Sequence, residues 1–524
     1  MKKIYFGAAF VLLVVVMILL SDSRPEDVYD DTHLMILAGA LAGSLDPIDS
    51  DVIATAQFSR LVYQTLFLID YESSEIIPAL AVNWEFINSQ TVIFEIKRGV
   101  TFHNGDALTA HDAAFTLNRL SGAWQVRTLF GMIEYAIAHD DYNLTLYLEK
   151  PFSPILYHLA HPAAGIVSMN HYISVGTAAF TSNPVGSGMF ALCYRVPGSR
   201  LSLVRFENYS GDTPELERIT FWHVPHPEVR LMRMLTEGSS HIVTDLPFEM
   251  VPRLDAEPRV NNMRKPSMSI DFITFNTQSP YLENPLVRQA IRYAFDVEAV
   301  FDLLFSQWGG EVATVPLPQG VWGFTSQPPF ETDIDRAREL LTYASLYPQG
   351  FSIEVWWRLP GFQHLAITEM LQFALKELNI NVSIGSLIDF AHYEYVSRRG
   401  ELQMMLSGWT NMTGDADSNL FPMFHSSNIG ASNRSFWHNQ DLDFLLEMAR
   451  TETDPFARKQ IYAEALDIIR NYVPLLTLYQ NDLFLPVDPR ITNFKLSPTG
   501  IHNFGTIRFA DHDKIASGTS NNYF

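Results

Sequence analysis

The sequence predicts a mixed α/β fold divided into two or three domains. Segments of alternating hydrophobicity and segments of helical periodicity follow one another along the whole chain, with no internal repeat. The composition, with 47% hydrophobic and 18% charged residues, is typical of a globular protein. A chain of 524 residues exceeds the size that one hydrophobic core normally serves, so we expect more than one domain.

Residues 80–120 give the clearest local pattern: strand, turn, strand, turn and capped helix. Hydrophobic residues alternate over 92–96, as in a half-buried strand, and the Asn-Gly pair at 104–105 is typical of a tight turn. Thr109 and Asp112 have the spacing of a capping box. The apolar residues that follow at helical spacing are Ala110, Ala113, Ala114, Leu117 and Leu120.

The other elements are predicted from the same two periodicities. Strands are expected at 34–37, 142–148, 201–206, 219–224, 272–276 and 353–357. Residues 58–70 are expected to form a helix and then a strand, and further helices are expected at 229–235, 285–294, 335–341, 365–378 and 460–469. Pro285 suits the first position of its helix, and the Pro- and Gly-rich segment 311–330 should be a loop.

Charge and cysteine content exclude several function classes. The net charge of −22 opposes binding to nucleic acid or to an anionic lipid surface, so we expect no nucleic-acid partner. Cys193 is the only cysteine, which rules out an intramolecular disulfide and a cysteine-based zinc site. The sequence also lacks the short motifs of serine hydrolases, zinc peptidases and P-loop enzymes.

The N-terminus has the pattern of an export signal. Lys2-Lys3 precedes an apolar run from Ile4 to Leu20, and Ser21-x-Ser23 is a weak cleavage site. The run is close to the shortest length that spans a bilayer. Residues 1–23 are therefore either a removed signal peptide or an uncleaved anchor, and we expect a location outside the cytoplasm.

Segment 84–112 resembles the signature of the peptide/nickel class of extracytoplasmic solute-binding proteins, which are the receptor subunits of ATP-binding-cassette (ABC) importers. The matching residues are Trp84, Glu85, Phe94, Ile96, Arg98, Gly99, Val100, Phe102, His103, Asn104, Gly105, Leu108, Thr109, Ala110 and Asp112. Residues 183–188 and 287–296 also resemble family motifs. The resemblance extends from about Leu34 to about Phe504.

The resemblance implies a two-lobed periplasmic binding protein-like fold with an extra inserted domain and a ligand cleft between the lobes. Lobe I would be discontinuous and comprise residues 24–62, 184–272 and 487–524. The inserted domain, hereafter the insert, would comprise 63–183, and lobe II 273–486.

The resemblance also implies which residues contact a ligand in lobe II. Segment 408–421 resembles the family pattern G-W-x-x-D-x-x-D-P-x-N-F, in which the first Asp after Trp holds the α-amino group of a peptide. We read this segment as one residue longer than the pattern and predict Asp415 for the amine role, with Asp417 as the second choice. Trp409 is expected to line the cleft and stack on the ligand. An acidic solvated turn is the alternative.

Three further ligand-binding residues are predicted. Arg358 follows two tryptophans at the end of a strand and resembles the arginine that binds the peptide carboxylate, although it could instead stack on those tryptophans. Tyr63 and Gln64 begin a segment that resembles the family's Y-E-G-L, with Gln64 in place of Glu. That segment borders the cleft in relatives.

The resemblance implies that the protein captures di- or oligopeptides in the cell envelope by hinge closure and passes them to a membrane permease. We expect a monomer that is not an enzyme and that needs no cofactor and no metal. Receptors for nickel chelates, haem or oligosaccharides on the same fold remain alternatives. So does a ligand-sensing module held by an uncleaved anchor.

Overall fold

The computed structural model describes residues 31–50, 52–73, 75–237, 240–305, 309–357, 362–385 and 390–510. The N-terminal export segment and Arg358 lie outside these ranges. Within them, no helix has the length and apolar character needed to cross a membrane. The described segments form a mixed α/β structure, as predicted.

A twelve-stranded sheet extends through both lobes. In lobe I and at its border it contains His33–Ala38, Phe190–Val196, Arg200–Arg205, Arg218–His223, Ile242–Val243 and Asn261–Pro266. In lobe II it contains Ser269–Phe275, Gly310–Val312, Phe351–Trp357, Ile380–Ile384 and Met404–Thr410. The strand Leu475–Val487 joins the two parts, because it pairs with strands of both lobes.

Helices cover the sheet in each lobe. In lobe I they are Ile53–Val62, Pro227–Glu237 and Val251–Asp255, and two short helices of the insert, Met169–Val175 and Thr177–Phe180, pack beside them. In lobe II they are Pro285–Ala294, Val297–Leu304, Ile334–Tyr343, Phe362–Lys376, Phe390–Arg398, Asp417–Phe424, Gln440–Thr451 and Pro455–Tyr472. Short 3-10 turns occur at Pro47–Asp49, Pro162–Ala164, Phe248–Met250, Ser426–Asn428 and Phe504–Thr506. A two-stranded sheet, Ile491–Thr492 with Arg508–Phe509, closes the C-terminal segment.

The insert is built as the pattern of residues 80–120 predicts. An antiparallel sheet contains, in spatial order, Ala81–Asn88, Thr91–Ile96, Asn143–Leu148 and Ile133–Ala138, and Phe67–Asp70 pairs with Glu75–Pro78 beside it. One face packs on the helix Ala110–Ser121, and the helices Arg127–Phe130 and Ile155–Leu159 complete the domain. The predicted capping box is present, with the Thr109 N–H donating to Asp112 Oδ2 at 2.9 Å.

Two glycines allow the chain to return from the insert into lobe I. A Cβ atom on Gly186 would lie 2.0 Å from the carbonyl oxygen of Val62, and one on Gly188 would lie 2.5 Å from that of Leu61. The backbone therefore passes against the end of the helix Ile53–Val62 at a distance that only glycine permits. This explains the two glycines of residues 183–188, the segment that resembles a family motif.

The hydrophobic cores form several clusters. One lies within the insert, from Leu66 to Ile166 with Val185. Two lie on opposite faces of the lobe II sheet, since Ile273 and Phe275 belong to one and Ile270 and Phe272 to the other.

The domain boundaries themselves stay a prediction. Within the segment predicted as a loop, Gly310–Val312 is instead a short strand, because Leu475–Val487 offers it a pairing edge.

Candidate ligand-binding cleft

A cavity of about 430 Å³ lies between the insert and lobe II. Trp124, Gln125 and Thr128 line it from the insert. Lobe II contributes polar and aromatic groups from the end of the strand Met404–Thr410 and from the helix Phe390–Arg398. A concave site with aromatic walls and a few polar groups is the usual form of a small-molecule site, so we take this cavity as the candidate cleft.

Two tryptophans approach the cavity from opposite sides. Trp409 lies in its lobe II wall, where its indole N–H donates to the Ser418 carbonyl oxygen at 2.9 Å and fixes the ring. Contact of Trp409 with a ligand stays a prediction. Trp124 was not predicted from the sequence, and its side chain is 79% exposed. Such exposure of a large aromatic residue within a cleft is typical of a binding surface.

The charged residues of the cleft wall are two arginines that share one carboxylate. Glu394 Oε2 accepts hydrogen bonds from Arg434 Nη2 at 2.7 Å and from Arg398 Nη2 at 3.2 Å. Arg434 also donates to Ser397 Oγ at 2.7 Å. Two guanidinium groups against one carboxylate leave one positive charge, and the Arg398 side chain is 55% exposed. This wall is therefore suited to a ligand carboxylate, which a guanidinium binds through two parallel hydrogen bonds.

Asp415 does not line this cavity. It is fully buried in lobe II, where Arg458 donates to both carboxylate oxygens at 2.6 and 2.7 Å. The backbone N–H of Asp417 donates to Asp415 Oδ1 at 2.8 Å. Burial alone would lower the pKa of Arg458, but the Asp415 carboxylate raises it overall. To hold a ligand ammonium group, Asp415 would have to give up this guanidinium.

Asp417 is also buried and paired. Arg450 donates from Nε to Oδ1 at 2.7 Å and from Nη2 to Oδ2 at 3.0 Å. Burial pushes the pKa of Asp417 up, but Arg450 more than offsets this, so its pKa is below the usual value. His158 of the insert lies 3.8 Å away, and the Ser153 N–H of the insert donates to the Arg450 carbonyl oxygen at 2.7 Å. This ion pair thus belongs to the contact between lobe II and the insert.

The spacing of the lobe II motif allows a second alignment. Counting from Trp409 without a gap, the first Asp of G-W-x-x-D-x-x-D-P falls on Met412, and the Asp-Pro pair falls on Asp415-Ala416. Asn419 then comes one residue later than the Asn of the full pattern, so in this alignment the extra residue follows Ala416. Met412 is partly exposed, and its carbonyl oxygen accepts a hydrogen bond from Tyr71 of the insert at 3.3 Å.

Tyr63 and Gln64 lie at a second cavity, of about 300 Å³, between lobe I and the insert. The Tyr63 hydroxyl donates to the Leu45 carbonyl oxygen at 2.9 Å, and the ring is 4% exposed. Of the predicted residues, the structure thus places Trp409 at the cleft, Asp415 and Asp417 in buried ion pairs that do not line it, and Tyr63 and Gln64 at the second cavity.

Metal binding has no candidate group in the described ranges, where no cluster of three or more His, Cys, Asp or Glu side chains occurs. His158 and His161, which have H-x-x-H spacing, are both buried. His158 Nδ1 donates to the Leu129 carbonyl oxygen at 2.6 Å, and the Ala163 N–H donates to His161 Nδ1 at 3.1 Å.

Comparison with known families agrees with the fold and the two-lobed organisation. Residues 75–431 match the family described as bacterial extracellular solute-binding proteins, family 5. The chain belongs to this family. Family 5 proteins bind solutes outside the cytoplasm, so this chain is an extracellular solute-binding protein, which confirms the resemblance seen in residues 84–112.

Similar proteins span nearly the whole chain. The glutathione-binding protein GsiB of Pectobacterium atrosepticum is 28% identical over 489 residues, which cover 90% of this chain and 93% of the relative. Heme-binding protein A of Haemophilus influenzae is 27% identical over 482 residues, which cover 85% of this chain and 86% of the relative. The dipeptide-binding protein of Escherichia coli is 25% identical over 481 residues, which cover 85% of this chain and 88% of the relative.

Solved structures share the fold. A dipeptide-binding protein from Pseudoalteromonas in complex with Met-Leu superposes with a TM-score of 0.80 at 23% identity, covering 91% of this chain and 100% of the other. The periplasmic binding protein DppA of Helicobacter pylori in complex with the peptide STSA gives a TM-score of 0.79 at 24% identity, with coverage of 91% and 98%.

Proposed function

We propose that this protein captures small peptides or peptide-like carboxylates in the cell envelope and delivers them to the permease of an ABC importer. The observation that carries the proposal is the cleft between insert and lobe II, with its two tryptophans and its excess positive charge. Relatives named for glutathione and dipeptides support the same class of ligand.

Hinge closure is the mechanism that we propose. The strand Leu475–Val487 and the connection between Asn261–Pro266 and Ser269–Phe275 link the lobes. Polar contacts support this crossing, such as Asn481 Nδ2 donating to Asp271 Oδ2 at 3.0 Å. A ligand that contacts both walls stabilises the closed arrangement by its differential affinity for it.

Arg398 and Arg434 are proposed to bind the ligand carboxylate, while Trp409 and Trp124 stack on its planar groups. The amine role predicted for Asp415 and Asp417, and the carboxylate role predicted for Arg358, remain hypotheses. The ion pairs of both aspartates weigh against the amine role, because an ammonium group would have to compete with an arginine that is already bound.

Calorimetric titration tests the ligand class. The panel contains di- and tripeptides, glutathione, amidated and N-acetylated peptides, haem, a nickel–histidine chelate and an oligosaccharide. We expect Arg398→Gln to weaken peptides with a free carboxylate about tenfold and to leave amidated peptides unchanged, because a charge-assisted hydrogen bond contributes about 1.5–3 kcal/mol. Arg336→Gln, at an exposed pair with Glu339, is the matched control.

Binding of haem, nickel chelate or sugar in place of every peptide would contradict the peptide class. Equal loss of affinity for free and amidated peptides in Arg398→Gln would contradict the carboxylate role. Each result is distinct, since the first concerns the wild-type protein and the second the variant.

The protein is further proposed to act as a monomer, to catalyse no reaction, and to work in the periplasm. Its N-terminal segment is either cleaved or retained as a tether. Sequencing the N-terminus of the exported protein distinguishes these two states.

A further inference from the structure

Arg60 occupies a position where three parts of the chain meet. It lies in the last turn of the helix Ile53–Val62 of lobe I. The cavity of about 300 Å³ at Gln64 lies on one side of it, and a cavity of about 310 Å³ lies on the other. Arg60 lines both cavities, together with Pro162 of the insert and Asn503 of the C-terminal segment.

The guanidinium group of Arg60 has no carboxylate within ion-pair distance and no hydrogen-bond acceptor in the described part of the chain. The other cations lining these cavities each have a carboxylate partner. The pairs are Lys265 with Glu72 at 3.9 Å, Lys495 with Glu72 at 3.6 Å, and Arg508 with Glu215 at 3.1 Å. The absence of a partner is therefore particular to Arg60.

The charge of Arg60 is not compensated by its surroundings. Burial lowers its pKa, but an arginine side chain stays protonated at neutral pH. After burial, the groups that act on its pKa are Tyr71 and Tyr209. Burial raises the pKa of both tyrosines, so both are neutral. Arg60 is only partly exposed, and a partly desolvated cation without an anion is unfavourable, which points to a counter-ion from solution.

Gln64 is an uncharged neighbour of Arg60 in this cavity. It lies four residues after Arg60, past the end of the helix, at the position where the Y-E-G-L pattern has Glu. Its amide donates weakly to Ser210 Oγ at 3.4 Å, while its Oε1 atom is buried without a hydrogen bond. A carboxylate at position 64 would add a negative charge to the cavity that Arg60 lines.

We propose that Arg60 binds a small oxyanion, a carboxylate or a phosphate, at the junction of lobe I and the insert. The planar fork of the guanidinium matches two oxygens of such an ion. Asp212, which lines the same cavity, favours an ion of low charge. A bound ion would hold the insert against lobe I.

This site is separate from the proposed peptide cleft. None of the residues that line the two cavities at Arg60 lines the cleft between the insert and lobe II. The oxyanion site can therefore exist whatever the cleft binds, and the two proposals fail independently.

Thermal unfolding and calorimetry with sodium phosphate and sodium acetate, at constant ionic strength, test the proposal. We expect a saturable rise in Tm for the wild-type protein, because an ion that binds only the folded state stabilises it. Arg60→Gln should lose this rise and weaken binding at least about tenfold. Arg508→Gln, which alters a paired arginine of the same cavity, should keep it.

Gln64→Glu gives a second, independent measurement. The new carboxylate should neutralise Arg60 from within the chain, so this variant should have a higher Tm without added ions and lose the saturable response. If the Tm of the wild-type protein and of Arg60→Gln rose equally and without saturation, the rise would be a general salt effect, and the proposal would be overturned. If Arg60→Gln does not fold, an undiminished response in Gln64→Glu would overturn it.

Discussion

Replacing Asp415 by Asn separates a structural role of this residue from a ligand-binding one. The substitution keeps the shape of the side chain and removes its charge. Both oxygens of Asp415 face Arg458, which is 5% exposed, and the carboxylate itself is 0% exposed. An asparagine at this position would leave the Arg458 cation buried without an anion.

The expected cost follows from that burial. Removing one partner of a buried, hydrogen-bonded ion pair costs about 3–5 kcal/mol, because the remaining charge stays desolvated. The amide can still accept one hydrogen bond from Arg458, and the Arg458 Nη2–Tyr462 hydroxyl contact at 2.8 Å persists, so we expect the lower end of that range. An exposed pair such as Asp335–Arg338 should lose about 0.5 kcal/mol or less.

Urea denaturation of wild type, Asp415→Asn and the control Asp335→Asn gives the free energy of unfolding of each. Peptide affinity is measured on the same samples, with peptides that have free and acetylated N-termini. We expect a large loss of stability in Asp415→Asn, little in the control, and an equal affinity change for the two peptides.

Unchanged stability in Asp415→Asn, together with a selective loss of affinity for peptides with a free N-terminus, would refute this reasoning. That result would support the amine role predicted from the family motif instead. Adding Arg458→Met to Asp415→Asn should recover part of the lost stability, since it removes the unpaired cation.

Two further predictions concern stability. His161 is buried and neutral, with its pKa lowered by burial to about 3, so acid favours the unfolded chain, whose histidine protonates near pH 6.5. The free energy of unfolding should therefore fall as pH drops below 6.5. His161→Asn, which keeps an acceptor for the Ala163 N–H, should reduce this fall between pH 7 and 4.5 by about 2.5 kcal/mol in urea titrations. Identical pH profiles for the variant and the wild-type protein would contradict this. Gly186→Ala should destabilise the protein by at least about 2 kcal/mol in the same assay, because its Cβ would meet the Val62 carbonyl oxygen at 2.0 Å. Gly43→Ala, with no atom within 4 Å of the new Cβ, should have little effect, and equal losses in both variants would argue against the close approach.

The insert was the most predictable part of the fold. Its strands alternate and its helix has a capping box, so local sequence determines both, and the observed strand Thr91–Ile96 and helix Ala110–Ser121 follow the pattern closely. These elements need only their own periodicity and caps to be recognised.

The strand Leu475–Val487, which joins the lobes, was missed. Its middle reads Tyr-Gln-Asn-Asp at 479–482, which interrupts the hydrophobic pattern of a buried strand. Partners from distant parts of the chain satisfy these groups, as when Gln480 donates to the Ser267 carbonyl oxygen at 2.6 Å. A strand whose polar residues are paired only in the folded state has no local pattern to reveal it.

The sequence by itself determined the family, the mixed α/β class and the strands and capped helix of residues 80–120, because each depends on local periodicity, caps or a motif of fixed spacing. Only the tertiary structure decided which charges are free to meet a ligand. Asp415 is paired with a residue 43 positions away and Asp417 with one 33 positions away, whereas Arg60 has no partner in the described ranges. The availability of a charge depends on what lies within a few ångströms in space, which spacing along the chain does not specify.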